Sequence, residues 1–220
     1  NSSNTTDINN TIAIGRDVLA ALTTGTGNIA IGCYALDALD TGQYNIAIGG
    51  NALGVSVDGD YNIAIGDDSL KSFEHSDGAG NNVAIGYHSG QFATTAENSV
   101  FIGKAAAQGI NGTKLTGNNN TAVGYNSALL LQGAAQANVL IGSQAGHSMT
   151  TGSYNTGVGM NSILECEDGS QNTMIGYAAG EHDNDGADVT SPDQCVAIGY
   201  GTKFETTTPE NEIVIGHDAN

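Results

Sequence analysis

The sequence predicts an all-β protein, a parallel β-solenoid (β-roll) of about twelve coils, each of 17 or more residues. Three observations carry this. A phrase recurs along the whole chain: TGQYNIAIGGNAL at 41–53 is closely matched by TGTGNIAIGCYAL at 24–36 and DGDYNIAIGDDSL at 58–70. The spacing of the copies is fixed, which marks a unit stacked on copies of itself. The positions flanking the centre of each short apolar run are β-branched, which suits a strand, and the four or five residues between a polar turn and the glycine leave no room for a helix.

Each coil is located by the glycine that closes its IG or VG. These glycines are Gly15, Gly32, Gly49, Gly66, Gly86, Gly103, Gly124, Gly142, Gly159, Gly176, Gly199 and Gly216. Seven of the eleven spacings are 17 residues and the others are 20, 21, 18 and 23, so each longer coil is the base unit plus an insertion. Insertions that preserve phase belong in loops. The three long ones cover 71–81, 110–119 and 181–194.

Within a coil the strand comes first. Ile or Val precedes every landmark glycine, and two residues earlier stands Ile, Val or Thr. Between them lie Ala13, Ala30, Ala47, Ala64, Ala84, Phe101, Ala122, Leu140, Gly157, Met174, Ala197 and Val214. Alternate strand residues point to opposite faces, so neither face is polar, and strands apolar on both faces are buried on both. A thin solenoid has only one inside. The expectation is that a second chain covers the other face, approaching closely over Ala30, Ala47 and Ala64, as in a homotrimer.

After the glycine the coil turns. A small residue stands three positions on in eleven of twelve copies, often followed by Leu, as at Leu19, Leu36, Leu53 and Leu70. This predicts a second short strand or a bend that closes a narrow core. The glycine itself takes a positive φ or allows close backbone approach. Asn opens the strand in eight copies, Asn28, Asn45, Asn62, Asn82, Asn120, Asn138, Asn155 and Asn172. Its side chain bonds nearby backbone in turns, and stacked copies form an amide ladder.

Composition sets the function classes. Acidic residues number 23 against 5 basic, a net charge of −18. A basic footprint for nucleic acid is missing, as is a polybasic surface for anionic lipid. No apolar run is long enough to span a bilayer, so no direct membrane insertion is expected, and no signal peptide is visible. The chain opens NSSNTTDINN and ends in mid-pattern, which reads as one solenoid repeat domain, 1–220, cut from a longer fibre. Cys33, Cys166 and Cys195 are odd in number and far apart, so they read as unpaired structural residues.

The columns NIAIGxxAL and NTxIGYxAG resemble the NSVAIGxxSxA repeat of the head domains of YadA-type trimeric autotransporter adhesins. They are still more similar to longer coils in phage tail-fibre proteins and related bacterial trimeric fibres, and the NEIVIGHDA ending is similar to a phrase that closes such arrays. The resemblance covers residues 11–219. It implies a left-handed parallel β-roll with three chains side by side. The adhesin coil is shorter and more uniform, so its receptor contacts do not carry over.

Catalytic motifs are scarce. GKAA at 103–106 lacks the phosphate-loop glycine pattern and hydroxyl, and GVGMNS at 157–162 breaks the dinucleotide fingerprint. Neither HExxH nor GxSxG occurs. His75, His88, His147, His182 and His217 lie in different coils. No catalytic residue is assigned. One candidate metal loop exists: Glu181, Asp183 and Asp185 at alternate positions, then Gly186 and Asp188, echo the opening of a calcium loop. Pro192 stands where the bidentate Glu belongs, and a solvated acidic loop is the competing reading. Calcium is the one cofactor this loop points to. Tyrosines form two columns: Tyr44, Tyr61 and Tyr154 before the strand Asn, and Tyr87, Tyr125, Tyr177 and Tyr200 after the glycine. Exposed Tyr rows can bind sugar rings, which makes Tyr44, Tyr61 and Tyr154 candidate ligand-binding residues against packing at the coil corners.

The expected function is a non-enzymatic, structural and adhesive segment of a trimeric extracellular fibre, a phage-type tail fibre or a bacterial surface adhesin. Its partners would be two further copies and a cell-surface glycan or protein receptor. A polysaccharide-degrading trimeric β-helix enzyme would need acidic pairs at grooves between chains. A solitary ion- or ice-binding solenoid would need a regular Thr-x-Thr face, and none is present.

Overall fold

A computed structural model describes residues 10–74 and 80–219. Twelve strands of three residues each begin the twelve coils: β1 (Ile12–Ile14), β2 (Ile29–Ile31), β3 (Ile46–Ile48), β4 (Ile63–Ile65), β5 (Val83–Ile85), β6 (Val100–Ile102), β7 (Thr121–Val123), β8 (Val139–Ile141), β9 (Thr156–Val158), β10 (Thr173–Ile175), β11 (Val196–Ile198) and β12 (Ile213–Ile215). They pair in chain order into one parallel sheet. The insertions do not disturb the register. Ile63 pairs with Val83 across the 20-residue coil, and Thr173 with Val196 across the 23-residue coil. With strands about 4.8 Å apart, twelve coils rise about 55 Å.

The two strand faces are reversed from the expectation. Ala30, Ala47 and Ala64 are fully buried inside a single chain, as are Phe101, Leu140 and Met174 at the same position. They line the core and do not lie at a chain–chain seam. The Ile and Val residues on either side point outward and are half-buried or exposed. The physical reason is volume. Beside the strand a coil this narrow has room for one large side chain, and in coils two to four it is supplied by the turn, at Leu36, Leu53 and Leu70; a second large residue, such as Leu39 or Phe73, fills the core further along the turn. Ala in the strand leaves that room.

Later coils exchange the roles of the two positions. Phe101 is matched by Ala107, Leu140 by Gly146, Met174 by Gly180, and Gly157 by Ile163. A Cβ on Gly146 would lie 2.7 Å from Leu140 Cδ1, and one on Gly157 would lie 2.7 Å from Ile163 Cγ2. Large faces small in these coils as in coils two to four, while the fifth and seventh coils hold two small residues, Ala84 with Gly90 and Ala122 with Ala128; at Gly90 the space is taken from the coils on either side, by Phe101 and Leu70. This gives a direct test. Gly146→Leu alone should overpack the eighth coil and cost about 1–3 kcal/mol. Leu140→Ala with Gly146→Leu recreates the Ala–Leu pairing of the early coils and should recover most of that loss in a denaturant melt. The φ of +61° at Gly146 is close to the +50° that Leu36 already adopts.

The closing segment is a run of turns. Its left-handed residues are held by neighbouring coils. Tyr34 (φ 59°) donates its N–H back to Arg16 O at 3.0 Å, and Leu36 (φ 50°) donates forward to Ala52 O at 3.1 Å. A left-handed residue costs about 1–2 kcal/mol, and here each one places an N–H on a coil that needs a partner.

The amide ladder is present. All eight Asn side chains of the column are buried. Asn45 Nδ2 donates to Gly59 O at 2.6 Å and to Asn28 Oδ1 at 3.2 Å, and Asn62 N–H donates to Asn45 Oδ1 at 2.9 Å. The pattern repeats upward to Asn172, with Ser99 Oγ accepting from Asn120 N–H at 3.1 Å in the coil that lacks Asn. A second ladder two residues earlier runs in the opposite sense: Gln43, Gln136, Ser153 and Ser170 donate N–H groups to the side chains of Asp60, Ser153, Ser170 and Asp193 in the next coil.

The cysteines are free. Cys166 and Cys195 are buried, and burial pushes the Cys166 thiol up to about 12. Cys195 occupies the Asn column, its Sγ 3.2 Å from Asp193 O.

Candidate functional site

Three surfaces are candidates: the outer sheet face, the aromatic rows and the tips of the inserted loops. The first is built by the strands. Two outward positions in each of twelve strands hold Ile or Val, apart from Thr121, Thr156 and Thr173. None carries a charge. A sheet face turned permanently to water normally alternates to polar residues; this one is Ile or Val from β1 to β12 except at the three Thr.

The aromatic rows lie on the coil corners. Tyr44 and Tyr61 stack with ring centroids 5.4 Å apart and planes 12° from parallel, yet each stays more than half exposed. Packing and exposure are therefore both present at this pair. The stacking turns the ring faces toward each other, so what the pair offers outward is mainly ring edge and hydroxyl. Tyr154 is separate from them, and its hydroxyl accepts from Gln136 Nε2 at 3.2 Å.

The second row is longer than its tyrosines. Tyr177 stacks on Tyr200 at 5.0 Å, and Tyr200 on His217 at 5.0 Å. Lys104 Nζ lies 5.7 Å from the Tyr125 ring centre, and the Arg16 guanidinium lies 4.8 Å from that of Tyr34. His217, Lys104 and Arg16 all directly follow a landmark glycine, so the repeat alignment itself held the signal that they continue the tyrosine column.

The acidic loop closes on itself. Asp183 is 7% exposed, and its Oδ1 accepts from the N–H groups of Asp185 at 3.0 Å and Ala187 at 2.9 Å. His182 lies between Glu181 Oε2 at 3.9 Å and Asp188 Oδ1 at 3.5 Å. Burial raises the Glu181 carboxyl above its ordinary range; His182 opposes this, and Glu165 and Asp188 add to it. The alternate spacing thus folds the loop tip, with Asp183 as its internal anchor. Among the described residues no group of three or more His, Cys, Asp or Glu side chains is placed to hold a metal ion.

Sequence reading missed a polar hub on coils three to six. Asp68 accepts from Asn51 Nδ2 at 2.9 Å and Gln91 Nε2 at 3.0 Å, pairs with Lys71 at 3.2 Å, and has His88 Nε2 at 3.7 Å. Gln108 Nε2 donates to Gln91 Oε1 at 2.8 Å. The contacts come from four coils, so spacing within one coil could not reveal them. His75 lies outside the described residues.

The insertions project narrow tips. In the longest coil a bridge joins His182 to Asp188, and residues 184–188 are exposed beyond it. In the sixth coil Ile110 bridges Thr113, residues 110–114 are exposed, and Leu115 returns to the core. No helix among the described residues is long and apolar enough to cross a membrane.

Compared with known proteins, the chain matches no family model, no curated protein and no solved structure.

Proposed function

We propose that this chain is a structural and adhesive segment of a homotrimeric extracellular fibre, of the phage tail-fibre or bacterial adhesin kind, with no catalytic role. One observation carries the reading: an uncharged Ile/Val face extends along all twelve strands, and one chain leaves it uncovered. Two further copies presenting the same face would bury it and stiffen the stack. This moves the seam from the alanines to the outward isoleucines. The likeness to trimeric fibre repeats points the same way.

In this reading the coils supply reach and the loop tips supply recognition. A uniform coil shows the same surface at every level, whereas polar tips on a rigid scaffold give local chemistry. Three copies around an axis multiply a weak contact. Replacing the exposed tip residues Thr113, Lys114, Asn184 and Asp185 with Ser spares Leu115, Asp183 and Val189, which hold the loops to the core. The expected result is an unchanged melt with reduced attachment to immobilised cell-surface glycans or receptor proteins. Unchanged attachment would move recognition to the tyrosine rows or away from this chain.

A further inference from the structure

Asn111–Gly112 is the sole Asn-Gly step in the sequence, and it lies at the tip of the 110–119 insertion. Deamidation of Asn requires the backbone nitrogen of the next residue to attack the side-chain amide. Three conditions favour it: no side chain crowding that nitrogen, an N–H not already held in a hydrogen bond, and an Asn amide free to turn. The fold meets all three at one position. Gly112 has φ +91° and open space around it, with nothing within 4 Å of where a Cβ would stand. Asn111, Gly112 and Thr113 are exposed. Neither the Gly112 N–H nor the Asn111 side chain has a hydrogen bond among the described residues.

The ladder asparagines are protected by the solenoid itself. After each ladder Asn, the next N–H is committed to the neighbouring coil: Ile29 to Asn45 O, Ile46 to Asn62 O, Thr121 to Asn138 O and Thr156 to Asn172 O, all at 2.7–2.8 Å. Their side-chain amides are held in the ladder. The Asn-Ser steps among the described residues, the next least crowded, are also occupied. Ser99 N–H donates to Asn82 Oδ1 at 3.0 Å, Ser127 to Gly124 O at 3.4 Å, and Ser162 to Gly159 O at 3.3 Å. After Asn184, the Asp185 N–H donates to Asp183 Oδ1 at 3.0 Å.

We propose that Asn111 is a self-modifying site, converting spontaneously to aspartate and isoaspartate in the folded protein while the ladder stays intact. The Gly112 nitrogen loses its proton to water or hydroxide and bonds to Asn111 Cγ. The Cγ–Nδ2 bond breaks, and the nitrogen leaves as ammonia after taking up a proton. Water then opens the five-membered imide. Cleavage of the Cγ–N bond gives aspartate; cleavage on the main-chain side gives isoaspartate, with the backbone rerouted through Cγ. Either product adds one carboxylate to an exposed tip, and the second lengthens the turn by one carbon. The proposal is independent of the trimeric reading.

The test is incubation of the folded protein in mildly alkaline buffer at body temperature, followed by peptide mapping by mass and labelling with an isoaspartyl methyltransferase. The peptide containing Asn111 should gain one mass unit and take the label, with most of the total conversion there. Asn111→Gln should remove the signal and leave the circular dichroism spectrum unchanged. In denaturant, the Asn-Ser steps at Asn98, Asn126 and Asn161 should begin to react as well. An unreactive Asn111 in the folded protein would overturn the proposal. So would conversion at Asn98, Asn126 or Asn161 in the folded protein at a rate similar to that of Asn111.

Discussion

Gly49→Ala should unfold the third coil and lower stability by about 3 kcal/mol or more, from a backbone conformation that itself costs an L residue about 1–3 kcal/mol and a steric clash added to it. Gly49 has φ +137°, and the landmark glycines as a set lie between +131° and +150°. An added Cβ would sit 2.5 Å from the Gly66 carbonyl carbon and 2.9 Å from the Asp67 nitrogen of the next coil. Both are backbone, so no side chain can swing away. Relief requires the coils to separate, which would break the ladder bond from Gly66 N–H to Ile48 O at 2.7 Å. Against a total domain stability of about 5–15 kcal/mol, one methyl group at this position is severe. Chemical denaturation with circular dichroism measures it. A loss under 1 kcal/mol would mean that the coil spacing is far softer than the in-register sheet implies.

Asn155→Ala should cost a similar amount through polar groups rather than sterics. Asn155 Nδ2 donates to Gly169 O at 2.8 Å and to Asn138 Oδ1 at 3.1 Å, and its Oδ1 accepts from the Asn172 N–H at 3.0 Å. The site is 1% exposed, so water does not readily replace these bonds. Truncation leaves the Gly169 carbonyl and the Asn172 N–H unpaired, at about 1–3 kcal/mol for each buried group. Asn155→Ser should be milder, because Ser99 already serves as the acceptor at the equivalent position of its own coil. Equal losses for Ala and Ser would show that the ladder's acceptor is not what stabilises the coil.

The sequence made the coil count and strand positions legible because a stacked architecture forces the same steric demand at every level. Glycine returns where no Cβ fits, and Asn returns where a turn and its neighbour both need an amide. The inside and outside of the strand were not legible from alternation, since Ala47 on one face and Ile46 and Ile48 on the other are all apolar. Two finer signals did carry that information. At several levels the inner column changes volume in step with the turn, as in Leu140 with Gly146 and Gly157 with Ile163, and only packed positions compensate in this way. The column that accepts Thr121, Thr156 and Thr173 is the one that lies at the surface. Spacing alone could not assign the acidic loop for a related reason. Alternate Asp residues suit a cation, but they also suit a tight turn, and Asp183 folds inward to hold two N–H groups of its own loop.

The seam on the outer face separates two substitutions that sit side by side. Ala47→Asp places a charge inside the coil and should unfold it. Ile48→Lys places a charge outside, where the side chain is only half-buried in one chain, and should leave the coil folded. In an assembled trimer the second change would bring three cations together at the seam, and like charges in close apposition cost several kcal/mol. The decisive measurement is the particle mass in solution by light scattering, for the wild-type chain and for Ile31→Lys, Ile48→Lys and Ile65→Lys combined. A trimer closed at this seam gives three chain masses for the wild type and one for the variant, with matching circular dichroism spectra. A wild-type particle of one chain mass at every concentration tested would contradict it.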